Sequence, residues 1–156
     1  MIEFKNLAKA LKDYADAIRD QYKDNLERDN RRATGNLITS INTKIVVDGN
    51  TFEIELQLAD YWKYVEWDTK PHMPPYEKIL EWVKVKPVLP TPKNGTLPTE
   101  EDLAWMISDK IRREGTKGTH DLEDALVEVD YDHIIEEALD KDVMESLDEI
   151  MLILGK

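Results

Sequence analysis

The sequence predicts an α+β fold: an antiparallel sheet built around one β-hairpin, packed by a long N-terminal helix and further C-terminal helices. Three observations carry this expectation. Apolar residues recur every three or four positions over residues 4–29 and again over 132–154, the period of a helix face. Residues 45–58 instead alternate apolar and polar, the period of a strand, around an Asp-Gly pair. All seven prolines fall between Pro71 and Pro98, which confines irregular backbone to one stretch.

The first helix places Phe4, Leu7, Leu11, Tyr14, Ile18, Tyr22 and Leu26 on one face, with charged residues between them. "DNRRATG" breaks it, with Gly35 as the stop signal, and "NLITSIN" adds a short helical turn. In the hairpin, Ile45 and Val47 share one face of the first strand, and Phe52, Ile54, Leu56 and Leu58 share one face of the second. Asp48-Gly49 is the pair that accepts positive φ at both positions of a type I′ turn. Thr51, Glu53, Glu55 and Gln57 fall on the opposite face, which is therefore wet.

A short helix over about 75–85 follows, with Pro75 at its first position and Ile79, Leu80 and Val83 on one side. "KPVLPTPKNGTLP", residues 86–98, can be neither a helix nor a central strand, and reads as a stiff extended arm with a contact role. The next helix is well punctuated. Thr99 caps it, three acids occupy its first turn, Arg112 and Arg113 its last, and Gly115 ends it. Leu103, Met106, Ile107 and Ile111 form its apolar stripe. Residues 125–131 fit either element: Val127, Val129 and Tyr131 alternate as in a strand, while Leu122, Leu126 and Val129 fit a helix. Over 132–154, Ile135, Leu139, Val143, Leu147, Ile150, Met151 and Leu154 make the last stripe, with Asp132 available as its N-cap.

A chain of 156 residues is read as a single domain, 1–156, with a core over 1–130 and an acidic helix over 131–156. No window nears eighteen consecutive apolar residues, the N-terminus lacks the order of a secretory signal, and there is no cysteine. These features give no membrane partner, no disulfide or thiolate metal site, and synthesis in a cytoplasm. The net charge of −12 argues against a protein that grips nucleic-acid phosphates. From His120 onward, thirteen acids face two lysines, whereas residues 1–119 carry twenty acids and nineteen basic residues. The negative charge is thus concentrated at one end, as a solvated helix face or as a surface that repels something negative.

Catalytic signals are sparse. Asp130, Asp132 and His133 could ligate a divalent metal, which makes a metal-dependent hydrolase one alternative function. His72 beside Glu66 and Asp68 could form an acid/base pair. An acidic regulatory or DNA-mimic protein acting through the C-terminal helix is a further alternative. No serine sits in a strand-turn-helix elbow, and the glycines of "REGTKGTH" lack the Lys-Ser/Thr ending of a phosphate-binding loop. The expectation is therefore no enzymatic activity and no cofactor. The four tryptophans, Trp62, Trp67, Trp82 and Trp105, have the core as their default place, though large aromatics also mark stable protein contacts.

The order of motifs adds a resemblance. Thr34, Gly35, Leu37, Ser40 and Ile41 match a Thr-Gly-x-Leu-x-x-Ser-Ile signature, and Tyr61, Tyr64, Val65, Glu66 and Thr69 match a Tyr-x-x-Tyr-Val-Glu-Phe-Gly-Thr signature placed after the hairpin. "DLAWMISDKIRREGTKGTHDLEDAL" looks like a further family segment ending in Gly-Thr-Lys-Gly. Over roughly residues 1–125 the chain thus resembles the head–tail connector, or neck and tail-completion, proteins of tailed bacteriophages. Two positions depart: Trp67 replaces phenylalanine, and Asp68 stands where the family has a glycine free to take positive φ. The resemblance implies a structural virion protein of the neck or tail region. It would form a six- or twelve-fold ring with itself and contact neighbouring connector and tail proteins, while DNA passes without specific binding. Under that reading Thr34, Gly35, Leu37, Tyr61, Tyr64, Glu66, Trp67, Thr69, Pro87, Pro90 and Pro92 are the expected interface residues.

Overall fold

The computed structural model describes residues 2–29, 36–60, 62–85 and 95–155. The fold is α+β: a long N-terminal helix, a two-stranded antiparallel hairpin packed against it, and C-terminal helices. In order these are α1 (Lys5–Arg28), α2 (Asn36–Ser40), β1 (Asn42–Asp48), β2 (Thr51–Gln57), α3 (Trp62–Glu66), α4 (Tyr76–Val85), α5 (Glu100–Glu114), α6 (Asp121–Glu128) and α7 (Asp132–Leu154). They form two compact units, one of residues 1–25, 41–58 and 122–156, the other of 26–40 and 59–121.

In the first unit the α1 seam is deeper than its large residues suggested. Ala10, Ala15 and Ile18 are buried, while Leu7, Leu11 and Tyr14 are half-covered. Small residues at helical spacing let a neighbour come close, and the Phe4 ring meets Phe52 of β2 edge-on at 6.0 Å. Ile45 pairs with Ile54 and Val47 with Phe52. Phe52, Ile54 and Leu56 are half-buried and alternate with exposed Glu53, Glu55 and Gln57, so the outer face is wet as expected, although Val47 at the strand end is exposed. The turn differs from the expected one. Asp48 pairs with Thr51, so the two central residues are Gly49 and Asn50, and positive φ occurs at Gly49 but not at Asn50. Positive φ at the first central position alone is the pattern of a type II′ turn, not type I′.

The open segment 125–131 resolves as helix through Glu128, followed by three residues without regular structure, of which Tyr131 packs its ring against Tyr14 at 5.5 Å and a 31° tilt. Tyr131, not Asp132, is the N-cap residue of α7, and the Asp132 N–H is taken by the Asp130 carboxylate at 3.2 Å. Only Ala138 and Asp142 of α7 are fully buried. The predicted stripe does not form a covered face: Leu139, Leu147, Ile150, Met151 and Leu154 are exposed, as are Met144, Leu152 and Ile153. The 3.6-residue period was present, but this unit covers α7 only along the 135–138–142 line and at its neighbours Val143 and Ser146.

The deepest feature of that line is a carboxylate. Asp142, 1% exposed, accepts from the Asn6 N–H at 2.9 Å, the Asn6 side-chain amide at 2.8 Å and the Leu7 N–H at 2.8 Å. Asn6 and Leu7 lie in the first turn of α1, where backbone donors have no partner inside the helix. A residue 136 positions away therefore caps α1 from outside, and its negative charge also suits the positive end of the helix dipole.

In the second unit α4 packs on α5, with Val83 of α4 buried. The Pro75 carbonyl accepts from the Lys78 and Ile79 N–H groups, which starts α4 one residue later than expected. Around α5 the capping expectation is met in full. The Thr99 hydroxyl accepts from the Asp102 N–H while the Asp102 carboxylate accepts from the Thr99 N–H, and Gly115 closes the helix at φ 76°. The buried seam is Ala104 and Ser108, with Leu103, Ile107 and Ile111 half-buried. Met106 lies outside it and is exposed, a correction to the expected stripe.

Candidate interaction surface

Two segments singled out by sequence, 65–69 and 115–120, are distant in the chain and clasped together in the second unit. Thr69 and Thr116 form an antiparallel bridge, the Thr69 N–H donating to the Thr116 carbonyl at 2.9 Å. The Thr116 N–H returns to the Thr69 hydroxyl at 2.9 Å, and the two hydroxyls meet at 2.7 Å. Thr119 and His120 donate their N–H groups to the carbonyls of Val65 and Glu66, the last two residues of α3. Those carbonyls sit at a helix C-terminus and have no acceptor duty within the helix.

The glycines explain why this clasp closes. A Cβ on Gly118 would lie 2.3 Å from the Glu66 carbonyl oxygen, and one on Gly115 would lie 1.9 Å from that of Thr69. Neither position has room for a side chain. Asp68 has a definite role here: its carboxylate accepts from the Gly118 N–H at 2.8 Å. Its φ is not positive; among the described non-glycine residues only His120 has positive φ, at 58°. The bend at Asp68 thus needs an acceptor and no left-handed backbone.

Beneath the clasp, Glu66 and Asp121 are buried. Burial, together with the nearby carboxylates of Asp29 and Glu66, pushes the Asp121 pKa up, against a hydrogen bond from Thr119 that lowers it. Above it, the rings of Trp62 and Trp67 meet at 5.2 Å. Tyr64 and Trp67 face solvent at 64% and 48% exposure. A third exposed aromatic is Trp105, 62% exposed and outside the core that was its default expectation. Trp105 borders a cavity of about 220 Å³ together with Met73, Tyr76, Ser108, Asp109 and Arg112.

The expected interface residues therefore separate. Leu37 and Glu66 are interior, Thr69 is half-buried in the clasp, and Tyr64 and Trp67 are at the surface. Thr34, Gly35, Tyr61, Pro87, Pro90 and Pro92 lie outside the described residues. Sequence reasoning missed Trp105 and Met73. The one available signal was Trp105 standing next to, not on, the Leu103–Ile107–Ile111 line.

The proposed metal ligands do not converge. His133 is exposed and reaches Glu137 at 3.0 Å, while Asp130 is occupied by the Asp132 backbone. Among the described residues no three His, Asp or Glu side chains are placed to share an ion. The imidazole of His72 contacts the Lys70 carbonyl at 2.8 Å, which engages its Nδ1 with backbone and not with Glu66 or Asp68. No described helix is long and apolar enough to cross a membrane. Comparison with protein-family models, curated proteins and solved structures finds no match to this chain.

Proposed function

We propose that this protein is a structural component of a tailed-phage neck, a connector or tail-completion subunit that assembles as a ring around the DNA channel. The reading rests on the order of motifs in the sequence and on the clasp, not on a match to a family. The observation that carries it is the clasp itself. Two segments of the resemblance, 65–69 and 115–120, are joined by backbone hydrogen bonds beside glycines that admit no side chain.

The clasp ties down the backbone beside the exposed Tyr64 and Trp67, and large surface aromatics serve as contact anchors. The concentration of acids after His120 disfavours adhesion of phosphates and suits a channel that DNA must traverse. The metal-hydrolase alternative has no converging ligands among the described residues. The DNA-mimic alternative keeps the acidic helix as its basis and predicts loss of partner binding on deletion of residues 132–156.

Trp67→Ala tests the proposal. The ring is half exposed, so its removal should lower the melting temperature by only a few degrees while abolishing rings seen by negative-stain imaging or sedimentation at high concentration. A wild-type chain that stays monomeric at high concentration and is absent from virions overturns the reading.

A further inference from the structure

We propose that the groove between α4 and α5, lined by Met73, Tyr76, Trp105 and Ser108, is a receptor for the proline-rich segment 86–94 of a second copy of this chain. This deepens the ring reading and rests on it. At about 220 Å³ the cavity is smaller than a typical small-molecule site and suits a side chain or two of an extended peptide.

Two observations point to a ligand. Trp105 and Met73 are 62% and 63% exposed beside it, more apolar surface than an unused groove on a soluble face needs. The Ser108 hydroxyl on its wall is 2% exposed and has no hydrogen-bond partner. A buried hydroxyl without a partner is unfavourable by roughly 1–3 kcal/mol, and a carbonyl entering the groove would relieve this.

The chemistry of the groove selects the occupant. Aromatic-walled grooves recognise proline-rich chains because the left-handed extended helix is already ordered and its carbonyls have no partners within the chain. The segment "KPVLPTPKN" carries Pro87, Pro90 and Pro92, and Lys86 and Lys93 give it a charge of +2. The receiving helix α5 has five acids, Glu100, Glu101, Asp102, Asp109 and Glu114, against Lys110, Arg112 and Arg113, a net of −2. Asp109, at the groove rim, is held below the ordinary aspartate pKa by hydrogen bonding and charge from Arg112, then Arg113, and stays ionised. Over the helix as a whole the charges are opposite in sign; at the groove itself Asp109 is bridged by Arg112 and Arg113, so the attraction comes from the acids of the first turn of α5.

The test titrates a synthetic peptide of residues 84–96 into the dilute full-length protein, followed through the tryptophan indole N–H signals by NMR. Saturable binding is expected, with the Trp105 signal shifting most. Trp105→Ala in the protein should weaken binding at least tenfold, as should replacing the three peptide prolines by alanine. Ser108→Ala should weaken it a few-fold. If wild type does not bind the peptide but a chain with Pro87, Pro90 and Pro92 replaced by alanine does, the segment fills its own groove and copy-to-copy docking is overturned. Failure of both overturns the groove assignment altogether. Rings that form without peptide binding refute this proposal alone, whereas peptide binding by a chain that never forms rings refutes the ring.

Discussion

Asp142→Asn removes one negative charge from the first unit while leaving its volume almost unchanged, and its consequences follow from three hydrogen bonds. The native carboxylate accepts from two backbone donors and one side-chain amide at 2.8–2.9 Å while 1% exposed. Asparagine keeps one acceptor oxygen, and its NH₂ must then face either the Leu7 N–H or the Asn6 donors. Bonds to a charged group contribute roughly 1.5–3 kcal/mol each, and an unpaired buried donor is unfavourable by about 1–3 kcal/mol. Because the three bonds share one acceptor group they do not add, and a net loss of about 2–4 kcal/mol is expected.

The pH dependence gives an independent check. Burial raises the Asp142 pKa, but the N–H donors of Leu7 and Asn6 and the Asn6 amide outweigh it and hold the group below its ordinary value. A depressed folded pKa means that its stabilisation is complete above the unfolded-state pKa near ~3.9 and is lost as pH falls through the folded value. The gap between wild type and Asp142→Asn should therefore be constant from neutral pH to about 5 and shrink below about 4. Urea melts at pH 7, 5 and 3, read by far-UV circular dichroism, measure it. A loss under about 0.5 kcal/mol, or a gap that is the same at all three pH values, would refute external capping of α1 by this carboxylate.

Gly118→Ala places a methyl group 2.3 Å from a carbonyl oxygen, so the second unit should lose at least about 2 kcal/mol, seen as a lower urea midpoint. Thr99→Ala breaks the capping box of α5 and should lower stability by about 1 kcal/mol, with Thr99→Ser restoring it. Asp121 has a raised folded pKa, so its proton-linked stabilisation is present below the unfolded pKa and lost as pH rises through the folded one. Asp121→Asn should remove that slope from a stability–pH curve. Leu152→Glu and Ile153→Glu sit on exposed positions of α7 and should change monomer stability by less than about 0.5 kcal/mol while raising solubility.

Local rules were legible wherever a segment's own residues settled its conformation. The α5 capping box, its Gly115 stop and the alternating faces of β2 follow from neighbours a few positions away, because orphan donors and pleat geometry are local problems. What needed the tertiary structure was every decision about which periodic face finds cover. The α7 stripe has a helical period equal to that of α1, yet only α1 is lined with burial at Ala10, Ala15, Ile18, Tyr22 and Leu26. Periodicity reports that a face exists and says nothing of what lies against it. Asp142 and Asp68 read as two more acids in an acidic chain. Only folding brings them to the Leu7 and Gly118 N–H groups. The sequence by itself determined the long helices at both ends, α5, the hairpin and the acidic end, and left residues 125–131 open. The tertiary structure decided that Asp68 needs no positive φ, that Trp67 and Trp105 face outward, and that two glycine-bearing motifs meet. Hydrogen-bond partners far apart in the chain have no signature in either one alone.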